Sequence, residues 1–219
     1  VAVRARATVV AAVIALAAAG CADTVDGEAV ADPFVPTAAE PDPSLRIEGV
    51  TVVEYPAASH VRANQRVAYD RTPPFGGPHD AAWATCTGTV YDRAIRSENA
   101  VHSLEHGAVW ITYDPDLVTG ADLRTLVERV EGRPYLMLSP YPDLSVPVSL
   151  QSWGHQLAVD DVDDERIDHF VDALRLNRNT FPEPGATCAT LPGVFDPADP
   201  PPFQPGAPDP GSPDTVPVN

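Results

Sequence analysis

The sequence predicts an α+β fold: a single layered domain with a mixed sheet and two main amphipathic helices. Three observations lead there. Short β-branched runs have strand character, two later segments repeat apolar residues at helical spacing, and the strands are too irregularly spaced for a βαβ series.

Residues 49–55 (GVTVVEY) alternate and are β-branched, which predicts a strand, and residues 60–69 form a weaker strand candidate. Residues 72–79 (TPPFGGPH) cannot be regular structure, because prolines fix φ and glycines relax it; an ordered, restricted loop is expected. Residues 108–113 (AVWITY) are the clearest strand, apolar on both faces as in a buried position. Thr119 is placed to cap a helix with the apolar stripe Leu123, Leu126, Val127 and Val130, stopped by Gly132 and Pro134. Short strands follow at residues 135–138 and 154–159. Asp163 is then placed to cap a second amphipathic helix carrying Ile167, Phe170, Val171 and Leu174 on one face.

The two ends differ from this middle. Arg4 and Arg6 precede an uncharged Ala/Val-rich run of fourteen residues ending at Cys21, too short for the roughly 20 residues of a membrane span and suited to an export signal. Ala18-Ala19-Gly20 before Cys21 resembles a lipobox, so residues 1–21 read as a lipoprotein-type signal peptide with Cys21 as the lipidated residue. Simple cleavage without lipidation is the alternative. Residues 22–45 then form a flexible tether, residues 46–188 the globular domain and residues 189–219, rich in proline, a disordered tail. The expected location is the outer face of the bacterial cytoplasmic membrane, with the membrane reached through the N-terminal lipid.

A formal net charge of −17 excludes nucleic acid as a natural partner, since an acidic surface repels phosphate backbones. With Cys21 given to lipid, Cys86 and Cys188 remain in a chain sent to an oxidising compartment, which predicts a disulfide between them. Closing a loop of about 100 residues would stabilise the fold by roughly 3–5 kcal/mol. No Cys-x-x-Cys spacing suggests redox chemistry.

The chemically loaded feature is Val101-His102-Ser103-Leu104-Glu105-His106-Gly107. A helix starting at Ser97 or Glu98 and ending at Gly107 places His102 and His106 on one face, one turn apart, where they can share a metal ion, with Glu105 nearby. A third ligand is needed. His79, at the end of the restrained loop, is the first choice and His155 the second; His60 and His169 read as surface residues. The same residues could instead form a hydrogen-bonded structural cluster. The order His-x-x-Glu-His also matches the inverzincin signature, in which Glu105 would act as general base, but a strand follows Gly107 at once where that signature needs a long helix.

Residues 73–79 (PPFGGPH), Trp83, Gly88, Tyr91, residues 101–109 (VHSLEHGAV) and residues 152–154 (SWG) together resemble the bacterial family known as domain of unknown function 3105 (DUF3105), over about residues 60–182. The chain departs from it at Phe75-Gly76, where that family usually has Thr-Ser. The resemblance implies a secreted or membrane-attached protein and points to His79, His102, Glu105 and His106, and it transfers no activity. The sequence reading is therefore an exported lipoprotein domain binding a transition metal, zinc or copper, through His79, His102, His106 and Glu105. Two alternatives stay open: a cell-envelope interaction module with a structural His/Glu cluster, its protein partner unknown, and a zinc-dependent hydrolase.

Overall fold

A computed structural model describes residues 33–57 and 59–218. Residues 1–32, and with them the signal segment and Cys21, lie outside the described residues. In chain order the elements are β1 (Thr51–Val52), β2 (His60–Val61), β3 (Arg66–Ala68), β4 (His79–Asp80), β5 (Thr87–Val90), α1 (Ser97–Glu105), β6 (Val109–Tyr113), α2 (Gly120–Val130), β7 (Leu136–Pro140), β8 (Val148–Ser152), β9 (His155–Val159), α3 (Arg166–Leu174) and β10 (Thr215–Pro217).

Six strands form the main sheet in the order β1-β9-β8-β6-β7-β5. The pairs β5/β7 and β6/β7 are parallel, while β6/β8, β8/β9 and β1/β9 are antiparallel, so the sheet is mixed as expected of an α+β domain. Side chains alternate across it with period two. Val109, Ile111, Leu136, Leu138, Leu150 and Leu157 meet the apolar stripes of α2 and α3. Trp110 and Met137 face the other way, onto Ala100, Val101 and Leu104 of α1 and onto Phe75, Trp153 and Phe181. The sheet thus has two helices on one face and α1 with its loops on the other.

Several local expectations need correction. Residues 49–55 contribute only the two residues of β1, and residues 60–69 split into β2 and β3. β8 was not anticipated, because Ser149 and Gln151 interrupt its apolar pattern; both are buried and hydrogen-bonded to each other across 2.6 Å. Thr119 precedes α2 but makes no side-chain capping bond. At α3 the cap position is Glu165 rather than Asp163, and the Asp164 carboxylate accepts the Arg166 backbone N–H at 2.9 Å.

The described part of the tether, from residue 33, and the C-terminal segment pack on the domain more than their composition suggests. From residue 33 the chain is packed on the domain: Phe34 stacks on His169 with centroids 4.2 Å apart, and the Asp42 carboxylate lies 3.1 Å from His155 Nε2. The C-terminal segment buries Phe195, bridges Pro202 to Ile95, and pairs β10 in parallel with β3. Proline forbids a helix or an inner strand there, yet an extended strap anchored by a few aromatic side chains needs neither. The disulfide between Cys86 and Cys188 is present, closing 102 residues. Among the described residues no helix is long and apolar enough to cross a membrane.

Gly107 is the junction on which the site's geometry turns. Its φ of +90° lets α1 stop and β6 begin, and a Cβ there would stand 2.6 Å from the Phe181 ring. Backbone strain and overpacking then act together, so Gly107→Ala should destabilise the domain by about 2–4 kcal/mol in urea unfolding. Gly120→Ala, at φ +58° with open space around it, should cost about 1–2 kcal/mol, from backbone strain alone. Equal losses at the two positions would show that the Phe181 contact is unimportant.

Candidate metal centre

Three elements converge on one polar cluster beneath the sheet. α1 carries His102 and Glu105 and ends on His106 as its C-cap residue. β4 carries His79, and β2 lies parallel to it with His60 directly opposite His79 in register. Ring centroids are 4.7 Å apart for His79 and His102, 5.0 Å for His60 with each of them, and 4.6 Å for His102 and His106. His79 and Glu105 are fully buried, with Nε2 and Oε2 2.8 Å apart, and His102 and His106 are buried as well.

Each buried imidazole of the cluster is oriented in the same way. His79 Nδ1 is 2.9 Å from the Gly77 carbonyl, His102 Nδ1 is 2.6 Å from the Asp80 carbonyl, and His106 Nδ1 is 2.8 Å from the Thr187 carbonyl. A carbonyl oxygen only accepts, so in all three rings Nδ1–H donates. In the neutral rings of His102 and His106 Nε2 then carries the lone pair. Burial, followed by the neighbouring His79, pushes the His102 imidazolium down to about 3, and burial also lowers His106. Both rings are therefore neutral near pH 7.

The carbonyls are themselves held. Asp80 forms a buried ion pair with Arg96, which also approaches Glu98 at 3.3 Å and donates to the Gln65 carbonyl at 2.6 Å. Glu98 in turn accepts the Val67 backbone N–H at 2.9 Å. On the other side, Thr187 belongs to the segment tied down by the disulfide, where Cys86 N–H bonds the Cys188 carbonyl at 3.1 Å and Glu183 N–H bonds the Glu105 carbonyl at 3.2 Å. That segment brings Glu183 Oε2 to 3.5 Å from His106 Nε2. Trp83 packs edge-on against His102 and His106, at 5.5 and 4.9 Å.

The ligand atoms fall into two overlapping groups. Those of His60, His79, His102 and Glu105 lie within 4.8 Å of one another, as do those of His102, His106 and Glu183. Of the residues singled out in the sequence, His79, His102 and Glu105 meet in the first group, and His106 sits in the second. His60, read as a surface residue, is exposed but joins the first group through its pairing with β4. Glu183 carries no motif around it, and only the pairing of Cys188 with Cys86 marks its segment as returning to the site. His155 is not part of either group: it bonds the Trp153 carbonyl and Asp42. The Phe75-Gly76 departure is structural, since Phe75 fills the core and a Cβ at position 76 would stand 2.2 Å from the Tyr55 ring.

Fold and site define a small α+β domain organised round a buried histidine and carboxylate cluster. The family described as protein of unknown function (DUF3105) matches residues 60–190, and the chain belongs to that family. No curated protein and no solved structure matches the chain.

The lowered histidines have a consequence for stability. His102 and His106 bind fewer protons folded than unfolded below the ordinary value of 6.5, so protonation favours the unfolded chain. Chelator-treated protein should lose thermal stability steadily as pH falls from about 6.5 toward 4, and His102→Gln should flatten that slope. A slope unchanged in His102→Gln would mean that His102 is not held neutral by the fold.

Proposed function

We propose that this domain binds a transition-metal ion through His79, His102 and Glu105, with His60 completing the set, in a protein exported and tethered to the membrane through Cys21. The supporting observation is the common orientation of the buried rings, with Nδ1–H donated to a backbone carbonyl and Nε2 left facing the cluster. That second hydrogen bond is the usual companion of a metal-ligating imidazole, because it fixes tautomer and ring direction.

Three imidazole nitrogens and one carboxylate oxygen suit zinc, copper or nickel. Ligands of a tetrahedral ion with bonds of about 2.0–2.1 Å stand roughly 3.4 Å apart. The ligand atoms, all within 4.8 Å of one another, are therefore assembled, and on binding the ion the 2.8 Å contact of His79 with Glu105 would open while the wider separations close. The hydrolase reading is less favoured: Glu105 is fully buried against His79, placed as a ligand or as a partner of that ring rather than as a base facing water.

Protein produced without a histidine tag and dialysed against zinc or copper should retain at least one equivalent of metal per chain. Free zinc at 100 times its dissociation constant should add about 2.7 kcal/mol of stability, reversed by chelator. His79→Gln should weaken zinc binding by at least 100-fold. Less than a tenth of an equivalent of either metal, with a melting temperature indifferent to chelator, would favour the interaction-module reading, in which the cluster only organises the fold.

A further inference from the structure

Two members of the second group of ligand atoms, His106 and Glu183, are not used by the single-ion reading. His106 has its Nδ1–H committed to the Thr187 carbonyl, its Nε2 3.5 Å from Glu183 Oε2, and a neighbour in His102 at 4.6 Å between ring centroids. Thr187 and Glu183 are fixed at either end of one short segment, by the Cys86 to Cys188 disulfide and by the bond from Glu183 N–H to the Glu105 carbonyl. His106 is buried, whereas the Glu183 side chain is 42% exposed, so this second position lies at the rim.

We infer that the cluster holds two transition-metal ions side by side. This rests on the metal reading of the first group and extends it. His102 belongs to both groups, but its Nδ1 is occupied by the Asp80 carbonyl, so it has one nitrogen to give and ligates one ion. With a single ion, it completes the set with His60, His79 and Glu105. With two, the ligands divide evenly: His60, His79 and Glu105 hold the inner ion, and His102, His106 and Glu183 hold the outer one. Each set is two imidazole nitrogens and one carboxylate oxygen, the same mixture of donor types twice.

The overlap of the two groups places the ions side by side, as in paired metal sites, where they stand roughly 3.5–4 Å apart. His102 lies between, with the His79 ring 4.7 Å from it on one side and the His106 ring 4.6 Å on the other. Three protein ligands per ion leave positions on each that water or a small oxygen ligand fills, and the exposed His60 and Glu183 put those positions on the solvent side. Two carboxylates offset half the charge of two divalent ions, and a bridging oxygen anion would offset more.

Zinc binding measured by calorimetry on the tag-free, disulfide-intact chain tests this, with copper(II) as a spin probe in parallel. Wild type should take up two equivalents. Glu183→Gln and His106→Gln should each weaken the second by at least tenfold and leave the first in place, while His79→Gln should weaken the first. Loading the second equivalent of copper(II) should reduce the paramagnetic resonance signal per ion, because neighbouring ions couple. A single equivalent in wild type, or two equivalents that Glu183→Gln and His106→Gln leave untouched, would overturn the two-ion inference while leaving the single-ion reading intact. No binding by any form would overturn both.

Discussion

The site depends on a choice forced on each buried histidine: where its one proton goes. An imidazole removed from water needs its N–H satisfied, and at His79, His102 and His106 the partner supplied is a backbone carbonyl on Nδ1. The consequence is directional. Nε2 is turned into the cluster in all three rings, toward Glu105 at His79 and toward Glu183 at His106, with His102 shared by both groups of ligand atoms. No amount of apolar packing would produce that arrangement, because packing is indifferent to which nitrogen carries the proton.

Much of the surrounding structure serves to hold those carbonyls still. The Arg96, Asp80 and Glu98 charges are buried together, a combination that contributes little net stability but is costly to disrupt. Their value lies in position: Asp80 follows His79 on β4 and presents its carbonyl to His102, so the ion pair holds the strand that carries one ring and orients the other. The disulfide does the corresponding work for His106, keeping residues 183–188 against the end of α1. Gly107 completes the frame by letting α1 turn into β6 within three residues, which puts the C-cap His106 beside one of the sheet's two central strands.

What could be read in advance follows from the range of the interactions. The spacing of His102 and His106, the end at Gly107 and the stripes of α2 and α3 are local periodicities, and they are visible in the letters. So is the restrained loop that delivers His79. His60 was missed because its position depends on a parallel pairing with β4 across nineteen residues, a contact that leaves no mark on a two-residue strand. Glu183 was missed for the same reason, its place set by a covalent link rather than by any pattern around it. The C-terminal strap misled in the opposite sense: proline content predicts the absence of regular structure, which is correct for most of it, but not the absence of packing, which Phe195 and the pairing of β10 supply.

The central claim is that the fold commits the Nδ1–H of these imidazoles to backbone carbonyls and turns Nε2 into the cluster before any metal arrives. Long-range nitrogen-15 NMR of the histidine rings in chelator-treated protein at neutral pH reads this directly. The account predicts that His79, His102 and His106 are all in the Nδ1–H form, and that added zinc moves their Nε2 resonances while leaving Nδ1–H in place. Rings in the Nε2–H form, or freely exchanging between the two, would contradict it.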